Sequence, residues 1–256
     1  MDHEHITVAV AGPKTTITLN RPERRNAMSH ELMSQVISAL TQLDEKCRIV
    51  VIAANGPAFS AGHDLSEMVD RPAEFYDDLF GVCTQMMQLI HRIPQPVIAK
   101  VQGVATAAGC QLVAACDLAI AADTSFFATP GVKIGLFCTT PLVPVSRAVG
   151  RKRALHMLLT GEPIDAARAV EWGLINRAVP AEELDAAVDE LADQILQFSA
   201  DTIGIGKGAF YAQAELHEDD AYEVAQPIMA GNASTEDAQE GMSAFLEKRA
   251  PTWASN

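Results

Sequence analysis

Three apolar runs of strand length limit the folds that this chain can adopt. They lie at Ile49–Ala54, Val97–Val101 and Leu118–Ala122. The first run has no polar residue, which is typical of a strand that is covered on both faces. The second, which contains Lys100, is expected to be the next buried strand, and the third a further strand. Segments 29–46 and 74–91 carry apolar residues at helical spacing, one before the first run and one between the first and second. This order of elements predicts an α/β fold.

Further strands and helices are predicted around these runs. Two β-rich runs at residues 6–10 and 15–19, joined by Ala-Gly-Pro-Lys, predict an N-terminal hairpin. Residues 125–128 predict another strand, and residues 110–116 an apolar helix. Ser29 is the expected N-cap of the first long helix. The buried face of that helix is expected to carry Leu32, Val36, Ala39, Leu40 and Leu43.

The C-terminal part of the chain has a different pattern. From Leu142 onward helical spacing dominates, and it is interrupted only at residues 174–179. We place a soft boundary near Ala200. The prediction is an α/β core over residues 1–200 and a helical region over residues 201–256.

Composition narrows the possible partners. The 256 residues include 33 acidic and 19 basic ones, which gives a formal net charge of −14. Binding to nucleic acid needs clustered Lys and Arg, so this balance argues against a nucleic-acid surface. Hydrophobic residues make up 48%, which suits a globular chain with a large core. Residues 101–116 are too few and too polar to span a membrane, and no membrane contact is expected.

The cysteines and the N-terminus predict a compartment. The five cysteines are scattered and form no C-x-x-C pair, which suits a reducing compartment and predicts no metal site. The N-terminal sequence MDHEHITVAV lacks the basic region of a secretory signal. It also contains acids, which a mitochondrial transit peptide avoids. We therefore expect a cytoplasmic protein.

Two loops of small residues carry the candidate chemistry. Each follows a buried run: Phe-Ser-Ala-Gly-His-Asp-Leu at residues 59–65, and Ala-Thr-Ala-Ala-Gly-Cys at residues 105–110. A loop of small residues that opens a helix points free N–H groups and the positive end of the helix dipole at a ligand. Such a site suits an oxyanion. Taken alone, either loop is equally consistent with a tight connection.

The loops, their order and their surroundings resemble the crotonase family, the enoyl-CoA hydratases and isomerases. The matching segments cover nearly the whole chain in the family's order. They are ITLNRPERRNAMS, AFSAGHDLSEM, PQPVIAKVQGVATAAGCQLVAACDLAIAA, SFFATPGVKIGL, LLTGEPIDAARAVEWGLIN and EGMSAFLEKRAP. Within the family, FATPGVKIGLFCTTP and TGEPI look most like the subgroup of enoyl-CoA hydratase domain-containing protein 3. The SAGHDL motif also resembles methylmalonyl-CoA decarboxylase.

The resemblance implies an architecture and a ligand. The fold would be a crotonase, or ClpP-like, spiral of β-β-α turns followed by a C-terminal helical trimerisation region. The chain would form a homotrimer or a hexamer and act on an acyl-CoA thioester. Coenzyme A would enter as part of that substrate, with no separate cofactor.

The resemblance also implies where the thioester binds. Its oxygen would lie between the backbone N–H groups of His63 and Ala108, with Gly109 next in line. The loop residues expected to border the adenine and pantetheine are Ala61, Gly62, Asp64 and Leu65.

Cations are expected near the CoA phosphates, because the chain as a whole repels a polyanion. Arg24 and Arg25 match the region where the family often places one, and Lys248 is a further candidate from the same or a neighbouring subunit. Ordinary surface solvation is the competing interpretation for all three.

The chain departs from the family at both glutamates that a hydratase uses. The corresponding residues are Gln111 and Gly131. Glutamine orients a water but does not exchange protons at neutral pH, and glycine has no side chain. Since each general acid–base group contributes roughly 10²- to 10⁴-fold, efficient classical hydration or isomerisation is not expected.

Several residues are candidate replacements, each with a competing role. Asp64, Glu67 and Glu162 lie in or near matching motifs, where helix capping or solvation competes with catalysis. Cys138 lies where the family builds the acyl end of its pocket, and it is either a nucleophile or a packing thiol. The ring of His63 is a further candidate.

Three functions therefore remain open. The chain is nominally an enoyl-CoA hydratase that holds a thioester enolate but lacks both glutamates. A methylmalonyl-CoA-type decarboxylase needs no protein base to remove a proton in its first step, so it fits their loss. The third alternative is an acyl-CoA binding or scaffold protein without catalysis.

Overall fold

Two sheets form the core of the computed structural model, which describes residues 4–255. The strands are β1 (Ile6–Ala11), β2 (Lys14–Leu19), β3 (Ile49–Ala54), β4 (Ala58–Ser60), β5 (Val97–Val101), β6 (Val104–Thr106), β7 (Leu118–Ala122), β8 (Phe126–Ala128), β9 (Ile164–Asp165) and β10 (Arg177–Val179). The larger sheet has the order β1-β2-β3-β5-β7-β10, and only its β1–β2 pair is antiparallel. The smaller sheet has the order β4-β6-β8-β9.

Successive turns of the chain contribute one strand to each sheet. The pairs β3–β4, β5–β6 and β7–β8 each supply a long strand to the larger sheet and then a three-residue strand to the smaller one. Neighbouring turns pair in parallel in both sheets. This is the spiral that the resemblance implies.

Helices cover the sheets and form the C-terminal part. They are α1 (His30–Thr41), α2 (Leu65–Met68), α3 (Ala73–Arg92), α4 (Ala108–Ala115), α5 (Leu142–Val149), α6 (Arg151–Thr160), α7 (Ala166–Trp172), α8 (Leu184–Leu196), α9 (Ala200–Gln213), α10 (Glu218–Ala233) and α11 (Glu236–Glu247). Both faces of β3 are buried, because one faces the main core and the other packs toward α8. The predicted double cover of the Ile49–Ala54 run is therefore confirmed.

The predicted hairpin and first helix are present, with one boundary shifted. Ala11 pairs with Lys14 across the predicted turn, and Ser29 accepts the N–H of Leu32 as the N-cap of α1. The helix ends at Thr41 rather than at residue 46. Asp44 accepts the N–H of Lys46 at 2.8 Å, and such a local turn competes with helix continuation.

The short strands β4, β6 and β9 were not predicted. The first two lie within segments that the sequence analysis treats as loops, because three residues are too few to show a period of two. Their pairing forms the smaller sheet and fixes the two loops of small residues side by side. The apolar helix begins at Ala108, two residues earlier than predicted, directly after the second of these loops.

A buried charged network holds α9 against the core. The Lys207 ammonium lies 2.7 Å from the Asp117 carboxylate and donates to two backbone carbonyls, those of Ile90 and Gln95. Asp117 also accepts from the Tyr211 hydroxyl at 2.7 Å. Burial lowers the pKa of Lys207, and the Asp117 charge opposes that shift. The boundary near Ala200 stays a prediction, although α9 begins at that residue.

No helix within residues 4–255 is long and apolar enough to cross a bilayer.

Candidate active site

The first loop of small residues runs beside the segment that precedes α1. The Met28 N–H donates to the Gly62 carbonyl at 2.8 Å, and the Asp64 N–H donates to the Met28 carbonyl at 3.2 Å. Because successive backbone groups alternate in direction, the N–H of the intervening His63 points away from Met28. Within the described residues that N–H has no protein acceptor.

The second loop turns sharply into α4. Ala107 donates its N–H to the Ala128 carbonyl at 2.9 Å and adopts φ +50°, ψ −118°, a conformation that residues with a side chain rarely take. In the described part of the chain, the N–H groups of Ala108 and Gly109 find no carbonyl, and the first bond of the helix runs from Gln111 to Ala107. These are the free donors that a helix N-terminus leaves for a ligand.

Two glycines bring the loops into contact. A Cβ at Gly62, which has φ +94°, would lie 2.7 Å from the Ala107 Cβ and 3.2 Å from the Ala108 nitrogen. A Cβ at Gly109 would lie 2.2 Å from the Ser60 carbonyl oxygen. The close approach therefore depends on the absence of side chains at both positions. It places the predicted donors, the N–H groups of His63 and Ala108, at the same junction.

The imidazole of His63 is buried without a hydrogen-bond partner. Its edge packs against the Phe80 ring of α3, with centroids 5.2 Å apart. Both ring nitrogens are inaccessible to solvent, and neither makes a hydrogen bond of good geometry with a described group. Burial lowers the pKa of the ring, which the nearby Met28 backbone opposes only in part. The imidazole is therefore neutral at physiological pH.

Gln111 is the residue that the sequence analysis predicts at the first of the two glutamate positions. Its side chain is buried, and its amide oxygen accepts from the Cys83 thiol on α3 at 3.8 Å. Burial raises the pKa of Cys83 to about 12, so that thiol keeps its proton. The amide is thereby held against α3.

Gly131, which the sequence analysis predicts at the second glutamate position, has no space for a side chain. It lies in a short 3₁₀ turn, Pro130–Ile134, that folds back on itself. A Cβ there would lie 2.0 Å from the Leu136 carbonyl oxygen and 2.8 Å from the Cys138 sulfur. Burial raises the pKa of Cys138, which favours the packing thiol over the nucleophile among its predicted roles.

Asp64 is bound to its own surroundings. It accepts from the backbone and the hydroxyl of Ser66 at the start of α2, and it pairs with the largely buried Arg21 at 3.4 Å. Burial opposes ionisation of this carboxyl, but the Ser66 hydrogen bonds and the charges of Arg21 and Arg24 hold its pKa below the usual value. The hydrogen bonds to Ser66 make Asp64 the N-cap of α2. Contact with CoA stays a prediction.

The other residues predicted to contact CoA lie in the turn before α1, in the first loop, at the start of α2 and after α11. Arg24 and Arg25 are exposed in the turn before α1, and Leu65 is half-exposed at the start of α2. Ala61 is bonded to this turn, since its N–H donates to the Arg25 carbonyl at 3.0 Å. Lys248 follows α11, and none of the interactions in the described residues joins it to either loop.

Known proteins share this arrangement of strands and loops. A family profile described as Enoyl-CoA hydratase/isomerase matches residues 14–256. The chain belongs to the enoyl-CoA hydratase/isomerase family, the crotonase family of the sequence analysis. The predicted family and crotonase fold are thereby confirmed.

Individual relatives agree with the predicted subgroup. Enoyl-CoA hydratase domain-containing protein 3, mitochondrial, is 45% identical in Mus musculus and 44% in Homo sapiens, over 93% of this chain and 80% of theirs. The crystal structure of the human protein superposes with a TM-score of 0.95 at 41% identity, covering 98% of this chain and all of that one. An enoyl-CoA hydratase from Mycobacterium smegmatis gives 0.95 at 46%, covering 97% and 98%.

The comparison overturns one prediction. Relatives of this crotonase from mouse, rat, frog and human are all named as mitochondrial, which points to mitochondria rather than the cytoplasm. The predicted cytoplasmic location is therefore wrong. It depended on the acidic N-terminus and the odd cysteine count, which are weak guides to compartment.

The sequence analysis missed Asn26 as an organiser of the site. Its side chain is fully buried and donates to the carbonyls of Asn55 and Ala58, while its oxygen accepts the N–H of Arg21. These bonds tie the turn before α1 to the strand β4, which leads into the first loop. The signal was present, because Asn26 lies in the matching segment ITLNRPERRNAMS. It led to no prediction, because the burial of a single asparagine in a polar turn leaves no periodic pattern in the sequence.

Any side chain at position 131 of this crotonase is expected to destabilise the fold. Gly131→Ala puts a Cβ onto a backbone oxygen, so we expect a loss of about 3 kcal/mol and a lower Tm by calorimetry. Gly135→Ala, in the same turn, is the matched control. It has φ +77° but no atom within 4 Å of the Cβ, so only a backbone cost of about 1 kcal/mol applies. Equal losses for the two variants would contradict the filled space at Gly131.

Proposed function

We propose that this chain binds an acyl-CoA thioester and stabilises its enolate between the backbone N–H groups of His63 and Ala108. The observation that carries the proposal is the contact of Gly62 with Ala107 and Ala108, which brings two N–H donors without internal acceptors to one junction. Donors fixed before the reaction stabilise an oxyanion strongly, because they need not reorganise as charge develops.

We also propose that this chain hydrates enoyl-CoA substrates only slowly. An amide stands at position 111, and the space beside Gly131 is filled by Leu136 and Cys138. Neither position offers a carboxylate to activate water or to exchange a proton. We therefore expect hydration of crotonyl-CoA to be slower by about 10²-fold or more than in a family member with both glutamates.

Decarboxylation of a malonyl-type thioester is the second candidate. The structure leaves no space for a catalytic side chain at Gly131. This favours decarboxylation, because loss of carbon dioxide produces the enolate without a base. The pair of electrons from the breaking C–C bond enters the enolate, and the two N–H groups hold the resulting oxygen charge. A proton must then reach the α-carbon.

The charge of the chain limits how CoA is held. With a net charge of −14, attraction must come from local cations. Arg24 and Arg25 are exposed beside the first loop and have no ion pair among the described residues. We assign the CoA phosphates to them, with Lys248 contributing from the same or a neighbouring subunit. No separate cofactor is required.

Assembly into a homotrimer or a hexamer is also part of the proposal. Supporting it, the C-terminal helices expose large apolar side chains. Phe245 is 82% exposed and Leu246 80%, with Met229 at 71% and Tyr222 at 68%. Apolar exposure of this kind marks a surface that another chain covers. These exposed apolar side chains are the observation that supports a trimerisation role for residues 201–256.

A chromophoric thioester tests the proposal directly. We expect 4-(dimethylamino)cinnamoyl-CoA to bind and its absorption to move to longer wavelength, because hydrogen bonds to the thioester oxygen polarise the conjugated system. Crotonyl-CoA hydration and carbon dioxide release from methylmalonyl-CoA are then measured on the same sample, beside a family member that carries both glutamates.

The outcomes separate the three functions. A red shift with slow hydration supports the proposal, and added carbon dioxide release identifies the decarboxylase. A red shift without any turnover leaves an acyl-CoA binding protein. Binding without a red shift, or no binding, overturns the assignment of the oxyanion site. Hydration as fast as in the glutamate-bearing protein would contradict the interpretation of Gln111 and Gly131.

A further inference from the structure

A large cavity lies between α3, α4 and α5, with α9 at one end. Its volume is about 1150 Å³, which is enough for a long acyl chain. Each of the three helices lines it with residues at helical spacing, so one face of each helix forms a wall. The cavity is therefore elongated along these helices.

One end of this cavity adjoins the proposed oxyanion site. Ala108, Gln111 and Ala115 follow one another on one face of α4, and the last two line the cavity. Gln111 lies about 5 Å along the helix axis from the Ala108 donor. Its contact with Cys83 shows which part of α3 lies beside it. A thioester held at Ala108 can therefore extend its acyl chain into the cavity.

The far end of the cavity lies beside the last turns of α3 and α4. There the His91 ring bonds to the Ala115 carbonyl at 2.9 Å and stacks on Tyr211 of α9, with ring centroids 4.0 Å apart. On α3, the cavity wall runs from Thr84 to Arg92. The rise between these two residues is about 12 Å, roughly the length of an extended ten-carbon chain.

Two guanidinium groups line this far end. Arg147 is held by its hydrogen bonds to the Val143 carbonyl at 3.0 Å and to the Glu215 carboxylate at 2.6 Å. Arg92 donates to the neutral Gln88 amide at 2.9 Å. In the part of the chain that the structure describes, Arg92 has no acidic partner. Gln88 thus positions a cation whose charge is not neutralised by the protein.

The remaining titratable groups at this end do not cancel that charge. Asp117 is neutralised by Lys207, which lies 2.7 Å away. Burial lowers the pKa of His91, so its ring is neutral at physiological pH. Arg92 therefore leaves a local positive charge in a chain whose net charge is −14. A positive charge at the end of a cavity attracts an anionic group.

The middle of the cavity is lined largely by small and apolar side chains. Ala114 contributes from α4, and Val143, Pro144 and Ala148 contribute from α5. Such walls favour a hydrocarbon chain, because they bury it away from water. An apolar middle and a cationic end together fit a chain with an anionic terminus.

We propose that the acyl group of the substrate is a long chain that ends in a carboxylate, which Arg92 and Arg147 bind at the far end of the cavity. The substrate class is then a dicarboxylic acid joined to CoA through one of its two carboxyl groups. This assignment rests on the proposed function, because the thioester oxygen must bind at Ala108 for the chain to enter here. Guanidinium groups suit the distal carboxylate, since they form strong charged hydrogen bonds with it.

Two ligands that differ only at the far end of the chain test this assignment. Binding of decanedioyl-CoA and of decanoyl-CoA to the full chain is measured by isothermal titration calorimetry. The charged hydrogen bonds to the distal carboxylate should make decanedioyl-CoA bind about 10- to 100-fold more tightly. Arg92→Met and Arg147→Met should each reduce this ratio and leave the affinity for decanoyl-CoA unchanged.

Arg168→Met is the matched control for Arg147→Met. The Arg168 side chain is 53% exposed and pairs with Glu171, just as that of Arg147 is 52% exposed and pairs with Glu215. Arg168 is not among the described residues that line the cavity, so this variant should keep the wild-type ratio.

Ala114→Phe tests the path of the chain. The added ring would occupy the middle of the cavity, so both ten-carbon thioesters should bind more weakly than to the wild type. Butyryl-CoA is too short to reach the ring and should bind as it does to the wild type. Its binding also shows that the variant is folded.

The results distinguish failure of each proposal. A wild-type protein that gives no red shift with the cinnamoyl thioester overturns the proposed function. A red shift together with equal or tighter binding of decanoyl-CoA overturns the distal carboxylate alone. The same conclusion follows if the preference for decanedioyl-CoA survives both arginine substitutions, or falls equally in Arg168→Met. Unchanged binding of both ten-carbon thioesters to Ala114→Phe would show that the chain does not pass through this cavity.

Discussion

Gly62→Ala is expected to remove the red shift of the bound cinnamoyl thioester and to lower any turnover by about 10²- to 10³-fold, the effect of losing one oxyanion donor. The added Cβ would lie 2.7 Å from the Ala107 Cβ and 3.0 Å from the Thr106 carbonyl oxygen. The two loops must separate to relieve this overlap. Their separation moves the His63 N–H away from that of Ala108.

Gly12→Ala is the matched control for this variant. Gly12 also has a positive φ, +58°, but no atom lies within 4 Å of its Cβ position, and it is in the β1–β2 turn far along the chain from both loops. Both variants incur the backbone cost of alanine at positive φ, about 1 kcal/mol. Only Gly62→Ala should lose the red shift. If both variants keep it, the site does not depend on the approach of the loops.

Lys207→Met is expected to cost about 3–5 kcal/mol of the free energy of unfolding, because it leaves the buried Asp117 carboxylate without its cation. The exposed fractions of the two side chains are only 7% and 14%. For a chain of this length the loss corresponds to a decrease in Tm of roughly 10 °C. Thermal unfolding followed by circular dichroism measures it.

A surface ion pair gives the comparison for Lys207. Lys14 pairs with Asp189, whose side chain is 56% exposed, so Lys14→Met should cost less than about 1 kcal/mol. A similar decrease in Tm for the two variants would show that the Asp117 network is solvated in solution. Loss of secondary structure confined to residues 200–247 would show that α9 to α11 separate from a core that stays folded.

Sequence patterns within single segments were sufficient to predict the longer strands and the first long helix. The strands β3, β5 and β7 were predicted with their observed bounds because each is a largely apolar segment of strand length, which is typical of a buried strand. The two loops of small residues were recognised by the family order of their motifs. The Ser29 cap needed only a side-chain oxygen three residues before a free N–H.

Features that depend on distant parts of the chain were not predictable. The direction of the His63 ring depends on Phe80, which lies 17 positions further along the sequence on another element. The filled space at Gly131 depends on how residues 136–138 fold back. The short strands β4 and β6 exist because they pair with each other, and neither has enough residues to show a pattern alone.

The unusual backbone of Ala107 bears on how quickly an oxyanion can be accommodated. Glycine would relax into several conformations at such a position, whereas the methyl group of alanine leaves very few. Contact of that methyl with Gly62, together with the hydrogen bond to Ala128, keeps one of them populated. The following N–H is thus aimed before any ligand arrives. Binding at this donor loses little loop entropy, so affinity and rate depend mainly on the ligand's own freedom.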